Sequence, residues 1–126
     1  MNSYSFEVTR LCADGERHNG WFVDPKIETD YYCYTFPKLD DNNIKPKMQV
    51  DLFSKKDIVK IIEQETTLDC IEQAAHMMAV KGTRLTKFKN FALYKTPSYK
   101  LPEEPINIVM SRELIEKTPH FRRFYV

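Results

Sequence analysis

Cysteine and histidine supply most of the nucleophilic, acid–base and zinc-binding side chains in proteins. This sequence has three of each: Cys12, Cys33, Cys70, His18, His76 and His120. No two cysteines have CxxC spacing and the histidines are far apart, so we expect no zinc unless the fold gathers them. A thiol nucleophile needs a nearby base, and Cys12 has only His18, six residues on. We therefore predict free and mostly structural thiols in a reducing cytoplasm.

Carboxylates and glycines form no recognisable catalytic motif. Asp24, Glu28 and Asp30 could bind a hard cation through oxygen ligands, although DPKIETD reads most simply as a solvated turn. The three glycines form no GxGxxG, GxxxxGK or GxSxG pattern, so neither a phosphate-binding loop nor a nucleophile elbow is predicted. Because no catalytic constellation is complete, we predict no catalytic residue and no cofactor.

Residues 81–100 contain basic side chains and no acidic ones. The basic residues are Lys81, Arg84, Lys87, Lys89, Lys95 and Lys100. Aromatic residues are interleaved with them, and a strand is predicted at 88–95. This pattern fits a strand that follows a phosphate backbone. It also fits a solvated edge strand that lysines protect from aggregation, which we favour, and the two interpretations are compatible. The candidate nucleic-acid contacts are Arg84, Lys87, Lys89 and Lys95.

Aromatic residues near the N-terminus form a second candidate surface. Trp21 follows Gly20 in a connection, and Tyr31, Tyr32 and Tyr34 lie in a predicted strand. Tryptophan and tyrosine are frequent anchors of protein interfaces, so these four residues are candidate partner-binding residues. Trp21 could instead plug the space beneath its loop, because tryptophan is highly buried on average.

Alternating and helical patterns predict the elements that must position these residues. Strands are expected at 4–9, 31–36, 48–53, 88–95 and 106–110. Ser54 and Thr67 are expected to cap two helices that end near Glu65 and at Gly82, and Ser111 a short helix at 112–117. Loops are predicted at 37–47 and 97–105, and we expect the aromatic tail to dock on the domain.

These elements predict an α+β fold in two layers. We expect a mostly antiparallel sheet of about five strands, two main helices on one face and the short C-terminal helix. Short connections favour pairing among the first three strands, and apolar residues on both faces of 31–36 predict an interior strand.

Length and composition predict one domain, residues 1–126, without a membrane span. The chain has 126 residues, 42% of them hydrophobic, and a formal net charge of +1. It is therefore large enough to form a core without disulfides, and its charge favours no class of partner. No apolar run approaches the roughly 20 residues of a membrane helix, and we see no signal peptide.

The runs FEVT, GWF, TDYYCYTF and EEPINIVMSRELI together resemble the second half of PD-(D/E)XK restriction-endonuclease-like domains. The matching residues are Glu7, Gly20, Trp21, Asp30, Tyr31, Tyr32, Pro105, Ile106, Asn107, Ile108 and Val109. In that family the metal-binding aspartate and the (D/E)xK pair precede the strand that looks like residues 4–9. Here Met1 leaves no room for them, and Glu7 and Asp30 are the only weak metal-ligand candidates that the resemblance offers.

The resemblance implies a nuclease-derived binding fragment or the product of a split nuclease gene, for which a phage or mobile element would be a natural source. Three hypotheses follow: a non-catalytic domain that binds nucleic acid through its basic strand, a protein-binding immunity or anti-defence module with an aromatic surface, and a metal-dependent hydrolase completed by another chain. We prefer the first. A missing half-core and an open edge on the first strand would also favour a homodimer.

Overall fold

The structure is a computed structural model that describes residues 3–38, 47–97 and 102–126. Most of the two predicted loops, at 37–47 and 97–105, lies outside these residues, as does Lys100. The strands are β1 (Ser3–Leu11), β2 (Arg17–Asn19), β3 (Tyr31–Lys38), β4 (Lys47–Ser54), β5 (Leu85–Lys87), β6 (Ala92–Lys95), β7 (Ile106–Ser111) and β8 (Arg122–Tyr125). The helices are α1 (Lys55–Glu63), α2 (Leu68–Lys81) and α3 (Arg112–Glu116).

The strands form two antiparallel sheets, which confirms the α+β class. The larger sheet has five strands in the order β2-β1-β7-β6-β5, and the smaller has the order β3-β4-β8. Helix α2 lies against β1 and β6 and buries Ile71, Ala75 and Met78. The expected five-stranded sheet is therefore present, and it contains the strands predicted at 4–9, 88–95 and 106–110. The strands predicted at 31–36 and 48–53 belong instead to the smaller sheet.

The predicted antiparallel pairing among the strands at 4–9, 31–36 and 48–53 is confirmed for the last two, which pair as β3 and β4, and is wrong for the first. Strand β1 pairs with β2 and β7, whereas β3 pairs only with β4. The strand expected to be interior, β3, is consequently an edge strand of the smaller sheet. Its inward rings contact β1, and its outward face (Tyr31, Cys33 and Thr35) is exposed. Side-chain packing between layers has thus overridden the preference for joining strands that are close in sequence.

The helix caps predicted at Ser54, Thr67 and Gly82 are confirmed. The Ser54 hydroxyl accepts a hydrogen bond from the backbone N–H of Asp57 at 3.0 Å, at the start of α1. The Thr67 hydroxyl accepts one from Cys70 at 3.1 Å, at the start of α2. Helix α2 ends at Gly82, whose φ of 71° is left-handed and costs glycine little. The tail docks as expected, because β8 pairs with β4.

A cluster of aromatic rings joins the two sheets. Phe6 of β1 lies 5.2 Å from Phe22 and 5.6 Å from Tyr32, measured between ring centroids. Trp21 lies 5.5 Å from Tyr32 and is partly buried, so it packs beneath its loop as a plug. A side chain at Gly20 would place Cβ 2.5 Å from the carbonyl oxygen of Glu7, which explains the glycine before this tryptophan.

The buried face of β4 carries a charge. Gln49, Asp51 and Phe53 point inward, and Asp51 is 0% exposed. The Asp51 carboxylate accepts hydrogen bonds from Arg123 Nε at 2.7 Å and Nη2 at 3.1 Å, from Gln49 at 3.2 Å and from the Tyr4 hydroxyl. Burial alone would raise the pKa of Asp51, but the bonds from Arg123 and Tyr4 outweigh it and hold that pKa below its ordinary value.

We expect Arg123→Met to destabilise the fold by about 3 kcal/mol, because the buried Asp51 carboxylate loses the guanidinium group that donates two hydrogen bonds to it. Chemical denaturation of the variant and the parent protein measures this change. Arg122→Met is the matched control, since Arg122 is exposed and its side chain bonds only backbone carbonyls. The control should change stability by less than about 0.5 kcal/mol. Equal effects of the two substitutions would contradict the role given to Asp51.

Acid should remove the stabilisation that Asp51 provides. The pKa of Asp51 in the folded protein lies below the ordinary value of about 3.9. The ionised carboxylate therefore contributes its full stabilisation above about pH 4, and this contribution is lost as the pH falls through the pKa of the folded state. The difference in unfolding free energy between the parent protein and Asp51→Asn should be largest above about pH 4 and shrink below it. Urea titrations from pH 3 to 7 measure it, and a pH-independent difference would contradict the assignment.

Candidate functional site

The four candidate basic residues lie on one hairpin, at the edge of the larger sheet. Strands β5 and β6 form this hairpin, and β5 is the outermost strand. Lys87 ends β5 and Lys89 lies in the turn. Arg84 and Lys95 lie at the opposite end of the hairpin, where the Lys95 N–H donates to the Arg84 carbonyl at 2.9 Å. The single strand predicted at 88–95 is therefore a hairpin, and the four residues form two pairs, one at each end. We call this element the basic hairpin.

A glutamate fixes the turn of the basic hairpin. The two carboxylate oxygens of Glu65, which follows α1, accept hydrogen bonds from the backbone N–H groups of Lys89 and Asn90, the second at 3.0 Å. Phe88 and Phe91 stack across the turn with their centroids 4.6 Å apart. The turn is thus attached to the helical layer, while the Lys87 and Lys89 side chains are exposed.

The outer face of the larger sheet is open. Register places Leu85, Tyr94, Asn107 and Glu7 side by side in one row across β5, β6, β7 and β1. Residues of this row are exposed or half-buried, whereas the alternate positions on the other face, such as Leu93, are fully buried. Tyr94 is 40% exposed, so an aromatic ring lies on the same face as Lys87.

The four aromatic partner-binding candidates do not form one exposed surface. Tyr31 is exposed, but Tyr32 is 8% exposed and belongs to the core. Trp21 is partly buried, and the half-buried Tyr34 donates its hydroxyl to the Ser5 carbonyl at 2.7 Å. The rings of Trp21, Tyr32 and Tyr34 all contact Phe6 of β1, because they fill the space between the two layers.

The structure separates the weak metal-ligand candidates. Glu7 lies on the outer sheet face and pairs with Arg10 at 3.3 Å, whereas Asp30 precedes β3 and its carbonyl accepts the Lys55 N–H. Within residues 3–38, 47–97 and 102–126 no three histidine, cysteine or acidic side chains are grouped as a metal site would require.

Cys12 and His18 do border a common cleft, of about 420 Å³, but His18 Nε2 bonds Asp14 at 2.8 Å. All three cysteines are free thiols.

The open edge expected on the first strand is mostly covered. Strand β2 pairs with β1 from Thr9 to Leu11, and the N–H groups of Gly20 and Phe22 bond the carbonyls of Val8 and Glu7. The open edge of the first strand therefore no longer supports the prediction of a homodimer. Among the described residues, the outermost strands are β2 and β5 in the larger sheet and β3 and β8 in the smaller one.

Sequence reasoning missed a histidine–aspartate pair. Asp57 is buried in the first turn of α1, and its Oδ2 accepts hydrogen bonds from His120 Nδ1 at 3.0 Å and from the His120 backbone N–H at 3.1 Å. Burial alone would raise the pKa of Asp57, but the bonds from His120 and Ser54 outweigh it and hold this pKa below the ordinary value. The two residues are 63 positions apart, and the only sequence signal was the place of Asp57 after the Ser54 cap.

We expect Glu65→Ala to loosen the basic hairpin, because two backbone N–H groups lose a charged acceptor. Stability should fall by about 1 kcal/mol, and amide hydrogen exchange at Lys89 and Asn90 should accelerate. The nearby exposed Glu63 supplies the control, Glu63→Ala, which should leave both amides unchanged. Unaltered exchange in Glu65→Ala would show that the turn holds its shape without this anchor.

Comparison with known proteins gives no identity. No protein-family model matches the chain, and neither does any curated protein or solved structure. The similarity to restriction-endonuclease-like domains therefore stays a prediction. None of the helices in the described part of the chain is long and apolar enough to cross a bilayer. Function must accordingly be inferred from the residues of this chain and their geometry.

Proposed function

We propose that this protein binds nucleic acid, without regard to sequence, through the basic hairpin. The observation that carries the proposal is that Arg84, Lys87, Lys89 and Lys95 extend from the outermost element of a sheet and, within the described residues, make no ion pair. Residues 81–100 contain no carboxylate to neutralise them. Their counter-charges must then come from solution ions or from a polyanion, and release of condensed ions favours the polyanion.

The spacing of these charges favours a chain of phosphates over a single phosphate. From Arg84 to Lys87 the strand advances about 10 Å, at roughly 3.4 Å per residue. The pair at each end of the hairpin can therefore contact a different phosphate of one backbone. Contacts of this kind fix the position of a nucleic acid and carry no base information.

The open sheet face adds a surface for bases. Tyr94 is exposed beside Leu85, one strand away, and Lys87 lies on the same face of the hairpin. Stacking of a base on an aromatic ring is tolerant of sequence, since every base has a π-face. A single strand, whose bases are free to stack, suits this surface better than a duplex.

The two other hypotheses are less well supported. A protein-binding immunity or anti-defence module would need an exposed aromatic anchor. Of the candidates, Tyr32 is buried, and Trp21 is partly buried against it. A hydrolase completed by another chain would use Glu7 and Asp30, which lie on different surfaces. The proposal is therefore restricted to binding.

Fluorescence anisotropy with a labelled 20-nucleotide single-stranded DNA tests the proposal between 50 and 200 mM salt. We expect binding at low salt whose affinity falls steeply as salt rises. Lys87→Gln combined with Lys89→Gln should weaken binding about tenfold and reduce the slope of log K against log salt by about 1.4, or 0.7 for each lost phosphate contact. RNA and duplex DNA of the same length, as further probes, test the preference for single strands.

The matched control is Lys26→Gln combined with Lys47→Gln, which removes the same charge from exposed lysines elsewhere. Lys26 borders the cleft next to β2, at the opposite edge of the larger sheet, and Lys47 starts β4 of the smaller sheet. The control should keep at least half of the parent affinity. Absence of binding to every probe at 50 mM salt, or equal losses in the two double variants, would overturn the proposal.

A further inference from the structure

A second cleft, of about 430 Å³, lies away from the basic hairpin, at the beginning of α1. It is bordered by Asp30 and Tyr31 at the start of β3, by Lys56, Asp57 and Lys60 of α1, and by His120 just before β8. Residues from three separate parts of the chain thus meet here. We call it the His120 cleft.

The ring of His120 is held in one orientation. Its Nδ1 and its backbone N–H both bond Asp57, and Asp57 is itself bonded through its own N–H to the Ser54 hydroxyl. Because Asp57 is buried and fixed, a proton is held on Nδ1, and Nε2 is the ring nitrogen left for other partners. The imidazole is 57% exposed, which leaves it accessible to a ligand.

Two lysines on α1 occupy electrostatically unfavourable positions. Lys56 and Lys60 are four residues apart, so their like charges face each other on one side of the helix, at a cost of about 0.2–0.5 kcal/mol. Lys56 also lies in the first turn, where the helix dipole disfavours a cation. Neither lysine makes an ion pair with any carboxylate in the described ranges. A bound anion would relieve both costs.

The charges around the cleft indicate which anion fits. Lys56 and Lys60 are balanced formally by Asp30 and Asp57, so the cleft is neutral while His120 is neutral and gains a positive charge when His120 is protonated. A ligand that stabilises the imidazolium must accept a hydrogen bond at Nε2 while its charge is shared with the lysines. A phosphate monoester, with a charge of about −1.5 to −2 at pH 7 and three acceptor oxygens, meets both requirements.

We propose that the His120 cleft binds a terminal phosphate group, held by His120 Nε2 and the ammonium groups of Lys56 and Lys60. Tyr31, 52% exposed at the same cleft, offers a ring against which an attached nucleoside can stack. The phosphate comes either from a mononucleotide or from the 5′ end of a nucleic acid. This site does not depend on the basic hairpin, so it can exist whether or not that hairpin binds nucleic acid.

Calorimetric and NMR titrations with thymidine 5′-monophosphate and with thymidine test the phosphate requirement. We expect the monophosphate to bind at least tenfold more tightly than thymidine and to shift the His120 ring nitrogens in a long-range ¹H–¹⁵N spectrum. Equal binding of thymidine and its monophosphate would overturn the proposal.

Two variants separate the role of Nε2 from the stability of the fold. His120→Asn keeps a donor near the position of Nδ1, and so the bond to Asp57, but removes Nε2; it should weaken monophosphate binding at least tenfold. His76→Asn, at an exposed position of α2, is the matched control and should bind as the parent protein does. An unchanged affinity of His120→Asn, with an amide spectrum that shows it folded, would refute the site. Should His120→Asn unfold, Lys56→Gln and Lys60→Gln provide the same test.

Oligonucleotides of ten thymidines, with and without a 5′-phosphate, distinguish the two sources. Tighter binding of the phosphorylated than of the unphosphorylated oligomer assigns the cleft to nucleic-acid ends. Equal binding of the two oligomers, with the monophosphate still bound more tightly than thymidine, assigns it to mononucleotides. Both results support a terminal-phosphate site. Loss of oligomer binding in the Lys87→Gln and Lys89→Gln variant, with mononucleotide binding retained, would separate the basic hairpin from the cleft. Monophosphate binding that survives Lys56→Gln and Lys60→Gln together would overturn the proposal.

Discussion

The rest of the structure depends on one buried carboxylate. Asp51 accepts hydrogen bonds from the first strand through Tyr4, from its own strand through Gln49 and from the last strand through Arg123. A lone carboxylate in this position would cost several kcal/mol, and the hydrogen bonds from these donors offset that cost. The larger sheet, the smaller sheet and the C-terminal tail are thereby required to assemble together.

Docking of the tail determines where the second site forms. Arg123 holds β8 against β4 and also bonds Glu116 of α3 at 2.6 Å. His120 lies only three residues before Arg123, and this attachment brings it to Asp57 at the start of α1. Helix α1 then connects the two proposed surfaces, since the His120 cleft lies at its first turns and Glu65, just after its end, fixes the turn of the basic hairpin. One short helix thus positions both groups of basic side chains.

The sequence by itself determined the local structure. Ser54, Thr67 and Gly82 act through hydrogen bonds and backbone angles that involve only near neighbours, and so the two main helices were predicted almost to the residue. The α+β class followed from alternating and helical patterns, and docking of the tail followed from the cost of leaving its aromatic residues in water. The basic block at 81–100 was equally visible, because charge composition does not depend on which elements come together.

Only the tertiary structure decided which strands pair, which faces are buried and where a second site lies. Strand β4 has apolar residues on one face, yet it buries the face with Gln49 and Asp51, because distant arginine and tyrosine side chains satisfy the carboxylate. The pairing of β1 with β7 joins residues about a hundred positions apart, and the Asp57–His120 contact joins residues 63 apart. Contacts of this length are set by complementary packing and by the need to satisfy buried polar groups, and no local pattern of residues encodes them.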